Sequence, residues 1–243
     1  MKMMRLTAFM AIAATLYGCA AAAPGTTDLT TGLQGYWQFN GDGVDSSPNG
    51  RTLDLFGSPG FATGLFGTAI VFNANSSKYA QRPASDSVFD VGSSDFTIQT
   101  WVSFTATAGE QTIFEKWTGP GGPGYTLTKL PGNQLRLALA AGSEQDVDSG
   151  QLTIAPNVWH QLGARRYGTT FSLFFDGAKV ATASISASVT PSPNPLLIGR
   201  RDGGQQNPVN GLMDEVAFWS RALSDAELSS LYKGGNGLQI SGQ

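Results

Sequence analysis

The sequence predicts an all-β fold, a two-sheet antiparallel sandwich with one short C-terminal helix. Three observations carry that prediction. Short segments alternate apolar and polar residues, Gly, Pro, Asn and Asp separate them, and no helical period is sustained before Ser224. The 31 glycines and 12 prolines are spread without a period while hydrophobic residues make up 41%. Such a chain is rich in turns yet apolar enough to build a core.

Residues 1–19 read as an export signal. Lys2 and Arg5 precede the uncharged, mostly apolar run Leu6–Leu16, which as a helix would rise only ~16 Å, about half a bilayer core. The run ends in "LYGC", Leu16 to Cys19, which resembles the lipobox of bacterial lipoproteins. The resemblance implies that Cys19 becomes the first mature residue, carries acyl chains and ties the protein to a membrane. Ordinary secretion, with cleavage among Ala20 to Ala23, is the other reading. Cys19 is the only cysteine, so no disulfide framework is available. Removal of residues 1–19, with Lys2 and Arg5, takes the formal charge from −3 to −5. No basic face remains for phosphate, which excludes nucleic acid as the expected partner. Residues 20–31 are small and polar and read as a flexible tether; residues 32–243 form the domain.

Within the domain, "FTIQTWVSF" places Phe96, Ile98, Val102 and Phe104 on one face, opposite Thr97, Gln99 and Ser103. "QLRLALA" sets Leu135, Leu137 and Leu139 against Gln134 and Arg136. "TFSLFFDGAKVATASI" is a hairpin in which Phe171, Leu173 and Phe175 alternate inward, Asp176-Gly177 turns the chain and Val180 begins the return. At the end, "SDAE" makes Ser224 an N-cap and Glu227 its capping-box partner, opening a helix through Tyr232.

In order, "LQGYWQFNGDGVDSSPNG" at Leu33, "FGTAIVFNANSSKYA" at Phe66 and "DFTIQTWVSF" at Asp95 are similar to laminin-G-like jelly rolls. "NVWHQLGARRYGTTFSLFFDGAKVA" at Asn157, "PLLIGRR" at Pro195 and "NGLMDEVAFWSRALSDAELSSLY" at Asn210 complete the set. The chain resembles the concanavalin A-like lectin/glucanase superfamily from Leu33 to about Tyr232. The resemblance implies binding of carbohydrate or other ligands, often with calcium.

The adjacent carboxylates Asp214 and Glu215 are the most conspicuous polar feature. A retaining glycosidase needs two carboxyl groups roughly 5 Å apart in one groove. Consecutive strand residues point to opposite faces, and the alternate positions Val216, Phe218, Ala217 and Trp219 hold no second acid. Catalysis by this pair is therefore not expected. Calcium takes six to eight oxygen ligands, and in related jelly rolls it often sits where the first and last strands meet. Asn40, Asp42, Asp45 and Asp214 are the candidate ligands. In the competing reading Asp45 makes an Asx-turn, and Asp214 and Glu215 receive backbone N–H groups or Arg221. Glu215–Arg221 would then pin the helix to the sheet.

His160 shares parity with Leu162 and Ala164 and is expected to be a core residue. One histidine without a mature thiol cannot build a zinc site, and no GxSxG nucleophile is present. Trp37, Phe39, Trp101, Trp159 and Phe174 are assigned to core or inter-sheet filling. Trp117 and Tyr125, flanking "GPGGPG" at Gly119, with Arg200, Arg201 and Asp202 and the neighbouring Gln205, Gln206 and Asn207, form the candidate ligand rim. The expectation is a non-catalytic binding module for a glycan at or outside the cell surface. The alternatives are an envelope protein that uses the same surface for a protein partner, and a glycan hydrolase or lyase whose site has no recognised motif.

Overall fold

The computed structural model describes residues 28–202 and 206–241. Cys19, the signal, most of the expected tether and Gln205 lie outside the described residues. Fifteen strands among the described residues form two antiparallel sheets. From edge to edge the eight-stranded sheet runs β13 (Ala178–Ser184), β12 (Thr170–Phe175), β11 (Trp159–Tyr167), β6 (Phe96–Phe104), β15 (Gly211–Trp219), β4 (Thr68–Val71) and β3 (Gly60–Thr63). Its eighth strand, β1 (Leu33–Trp37), also pairs with β15. The seven-stranded sheet runs β10 (Ser143–Asp148), β9 (Leu135–Ala141), β8 (Gly124–Lys129), β7 (Gln111–Trp117), β14 (Leu196–Ile198), β5 (Tyr79–Arg82) and β2 (Asp54–Phe56).

Alternation decides which side chains meet between the sheets. Phe96, Ile98, Val102 and Phe104 of β6, Leu135, Leu137 and Leu139 of β9, and Phe171 and Leu173 of β12 all lie in one buried cluster. Phe175 is partly buried against it. Asp176 and Gly177 turn the β12–β13 hairpin with φ of 48° and 74°, the left-handed pair that matches the twist of a two-residue loop. Trp37, Phe39, Trp101 and Phe174 are buried as expected, while Trp159 is half-buried.

A second apolar cluster lies on the other side of the eight-stranded sheet, under the helix α1 (Asp225–Tyr232). Ala217 and Trp219 of β15 contribute to it, whereas Val216 and Phe218 face the main core. The predicted capping box is present: the Glu227 N–H donates to Ser224 Oγ at 3.2 Å, and the Ser224 N–H to Glu227 Oε2 at 2.6 Å. Such caps stabilise a helix by about 1 kcal/mol. Among the described residues no helix is long and apolar enough to cross a membrane.

The first strand lies beside the last, with Leu33 opposite Trp219 and Trp37 opposite Val216. Residues 28–31, expected within the tether, belong to this closure. Leu29 is 6% exposed and its carbonyl accepts from Trp219 Nε1 at 2.8 Å. The Arg221 guanidinium donates to the carbonyls of Thr31, at 2.7 Å, and Asp28, at 3.0 Å.

Candidate functional site

The acid pair sits where β15 changes partners. On one side β15 pairs with β6 along its length; on the other it pairs with β4 at Leu212 and Met213, then with β1 from Val216. Between Asp214 and Ala217 the register to β6 shifts, and Glu215 takes φ of 52°, the signature of a β-bulge. Two residues thus separate the core positions Met213 and Val216, so strict alternation does not assign Asp214 to the face of Val216 and Phe218. That corrects the face assignment made from the sequence.

Both carboxylates close this gap. Asp214 Oδ2 accepts the N–H groups of Leu65, at 2.8 Å, and Phe66, at 3.2 Å, while Oδ1 accepts that of Glu215 at 2.8 Å. The turn can approach because Gly64 lacks a side chain: a Cβ there would lie 2.6 Å from Oδ2. Glu215 accepts from the Tyr36 hydroxyl and, at 3.4 Å, from Gln239 Nε2. Burial raises the Asp214 pKa to about 7 and raises that of Glu215. The expected Glu215–Arg221 pair does not form. Arg221 instead bonds Glu227 at 2.7 Å besides the carbonyls of residues 28 and 31, because the bulge turns Glu215 toward Tyr36.

The same bonds test the expected calcium set. Asp45 Oδ1 accepts from the N–H groups of Tyr36, at 2.9 Å, and Ser47, at 2.8 Å; Oδ2 accepts from Ser47 Oγ at 2.8 Å and the Arg51 N–H at 2.7 Å. Asn40 Oδ1 receives the Thr68 N–H at 2.8 Å, and exposed Asp42 caps Val44 at 3.0 Å. A calcium ion requires lone pairs converging on one point, whereas these oxygens are aimed at N–H donors on separate backbone segments. Asn40, Asp42, Asp45 and Asp214 therefore do not fit a shared calcium, and their arrangement is that of backbone pins. A melt in excess chelator is expected to leave the midpoint within about 1 °C of its original value, since only a bound metal adds stability by mass action. A drop of several degrees would restore the metal. His160 is a core histidine: 7% exposed, 2.9 Å from Asp176 Oδ2 and stacked on Phe175 at 4.9 Å.

The seven-stranded sheet carries a different arrangement on its outer face. On β9, Arg136 and Ala138 point away from the core leucines. On β7, a register shift before Phe114 leaves Phe114 in the core and puts Glu115 and Trp117 on the opposite parity. Trp117, Arg136, Ala138, Glu144 of β10, Glu110 and Arg201 line a cleft of about 150 Å³. A broader depression of about 680 Å³, with Ser76, Gln206 and Asn207 in its wall, shares Glu110 with it.

Each ionic group of the cleft has a partner, inside the lining or just beyond it. Arg201 Nη2 lies 2.8 Å from Glu110 Oε1, its Nε 3.3 Å from Glu115 Oε2, and its guanidinium 5.2 Å from the Trp117 ring centre. Arg136 holds Asp148 through two nitrogens and Asp146 at 2.9 Å. Glu144 accepts the Gly121 N–H. Glu115 is 1% exposed, and burial lifts its pKa to about 7 although Arg201 and the Asp202 N–H oppose the shift.

Trp117 and Arg201, two of the expected rim residues, meet here. Trp117 forms a wall rather than an exposed platform, being 2% exposed with Nε1 donating to Gly122 O at 2.7 Å. Asp202 stands behind the cleft, its N–H on Glu115 and its carboxylate on Asn194. Arg200 lies elsewhere, 3.9 Å over the Tyr79 ring, which stacks on Phe56 at 4.7 Å. Tyr125 is not on a rim at all. It is 1% exposed, its hydroxyl donates to Phe89 O at 3.0 Å, and its ring packs on Phe96 at 5.5 Å. Gly124 opens β8, so Tyr125 falls in the inward phase with Leu127. Sequence reading missed Glu110, Glu115 and Glu144; Arg136 was visible as an outward residue but not as part of a site.

A family model described as Laminin_G_3, concanavalin A-like lectin/glucanases superfamily, matches residues 74–229. No curated protein gives a significant sequence match. Among solved structures, the binding domain of Paraclostridial Mosquitocidal Protein 1 superimposes with a TM-score of 0.69 at 18% identity, over 84% of this chain and 52% of that one. Domain 4 of AbnA, an extracellular arabinanase from Geobacillus stearothermophilus in complex with arabinotriose, gives 0.65 at 18% identity, covering 81% and 96%. The botulinum neurotoxin serotype G binding domain gives 0.61 at 17% identity, covering 83% and 50%. The chain thus spans about half the length of the toxin binding domains it matches. At these identities the likeness is one of fold.

Proposed function

The chain belongs to the concanavalin A-like lectin/glucanases superfamily, and on that premise we propose that it is a non-catalytic carbohydrate-binding module of the cell envelope, exported and anchored through an acylated Cys19. The observation that carries the reading is the charge balance of the outer-face cleft, where two arginines and two glutamates surround one indole wall. A neutral polyol offers donors and acceptors together, and each paired carboxylate keeps lone pairs for hydroxyl groups. At about 150 Å³ the cleft suits a terminal sugar ring, and the adjoining depression of about 680 Å³ suits the rest of a chain. The arabinanase domain, solved with arabinotriose, supports the reading by analogy of fold. Commitment of Glu110 to Arg201 and of Glu144 to Gly121 favours binding over hydrolysis.

A glycan array probed with the full chain is expected to give saccharide signals, and Arg136→Ala to weaken them about tenfold. The substitution removes exposed ion pairs of about 1 kcal/mol or less each, so the fold is retained. A blank array sinks the carbohydrate reading in favour of a protein partner, and sugar release from a polysaccharide sinks the non-catalytic one. Radiolabelled palmitate is expected to enter the parent chain and not Cys19→Ala; equal labelling of both removes the anchor.

A further inference from the structure

We infer a second saccharide-binding site on the opposite face of the sandwich, in the cavity between the end of β11 and the start of α1. It extends the binding reading but stands on different residues. The cavity measures about 430 Å³, within the range of small-molecule sites. Its walls are Arg165, Tyr167, Ala222, Leu223, Asp225 and Glu227.

The chemistry of these walls selects the ligand. Tyr167 is 67% exposed, the largest exposure among the big hydrophobic side chains described, while Leu223 is fully buried. A flat ring presented to water over an apolar floor suits the C–H face of a sugar. Every wall charge is already balanced. Asp225 lies 2.8 Å from both Arg165 and Lys179, and Glu227 lies 2.7 Å from Arg221. An ionic ligand would have to break one of those pairs. A hydroxyl would not, because each carboxylate keeps unused lone pairs. The two acids also take up the positive end of α1, which disfavours an anion there.

Arg165 is fixed in the cavity wall by its bonds to the start of the helix. It is 8% exposed, and Nη1 donates to Leu223 O at 2.6 Å and to Asp225 at 2.8 Å. Its Nε is buried with no partner among the described residues. One exposed ring is far short of the roughly 1,000 Å² that a stable protein interface buries. The walls therefore favour a small neutral polyol over a protein.

The test is a ¹⁵N NMR titration of the full chain with arabinotriose, xylotriose, cellotriose and maltotriose. At least one is expected to shift the amides of Tyr167 and of residues 223–225 saturably. Tyr167→Ala is expected to weaken that response about tenfold without moving the melting midpoint, while the amides of Trp117 and Ala138 titrate as in the parent. Tyr167→Phe should retain binding. Unmoved helix-end amides with all four sugars, or an unchanged affinity in Tyr167→Ala, overturn the inference. Response at the cleft with silence at the helix end removes this site alone. The reverse pattern removes the cleft and leaves this site standing.

Discussion

Phe218→Ala is expected to destabilise the protein by about 4 kcal/mol, the largest single effect among side chains that take no part in binding. Phe218 is 1% exposed and is the meeting point of three other rings. Phe89 meets it edge-on at 5.0 Å, while Phe96 of its own sheet and Phe114 of the facing sheet stack on it at 6.1 Å each. Truncation removes the apolar surface and leaves a cavity that neighbours held by two sheets cannot fill. For a chain of this size the midpoint should fall by about 8–16 °C. Phe218→Leu, which keeps most of the volume, should cost about 1–2 kcal/mol. Urea denaturation of both variants decides the matter; equal losses would show that volume at this point is not what stabilises the sandwich.

Asp214→Ala should cost about 3 kcal/mol, because three backbone N–H groups lose their acceptor at once. Asp42→Ala is the control: its carboxylate is exposed and caps only Val44, so a loss of about 0.5 kcal/mol or less is expected. A loss below about 1 kcal/mol at Asp214 would contradict its role as the clasp between the β3–β4 turn and β15. The pH dependence follows from the same burial. Asp214, with an ordinary value of 3.8, and Glu115, with 4.5, both rise to about 7 in the folded protein. At these two groups the folded state then binds more protons than the unfolded chain between those limits, so their contribution to stability is full below about pH 4 and is lost as pH climbs through about 7. The melting midpoint should therefore fall between about pH 5 and about pH 8. Asp214→Asn and Glu115→Gln should each flatten part of that slope.

Much of the fold was legible because most strands obey a period of two. The leucines of β9, the phenylalanines of β6, the Asp176-Gly177 turn and the Ser224–Glu227 box are local patterns, and local patterns survive folding unchanged. Tyr125 was legible too: "YTLT" alternates ring, hydroxyl, leucine and hydroxyl, and its phase with Leu127 points inward. The nearby glycines obscured it. The bulge at Glu215 was not legible, since a left-handed residue in a strand is usually announced by Gly and here it is a glutamate. The outer-face cleft was legible only in fragments. Arg136 and Arg201 are far apart in sequence and become neighbours through the pairing of β14, β7, β8 and β9, which no local pattern specifies.

The pairing of β1 with β15 also governs when this chain can become a protein. Of the described strands β1 is the first to leave the ribosome, and its ladder partner is the last; the hydrogen bond from Trp219 to Leu29 spans 190 residues. Until residue 219 has emerged, β1 lacks its ladder partner, and its sheet lacks the strand that joins β6 to β4. Maturation is thus a late event that follows translation rather than accompanying it. Any nascent chain interrupted before β15 should remain protease-sensitive throughout, however many of its earlier hairpins are complete.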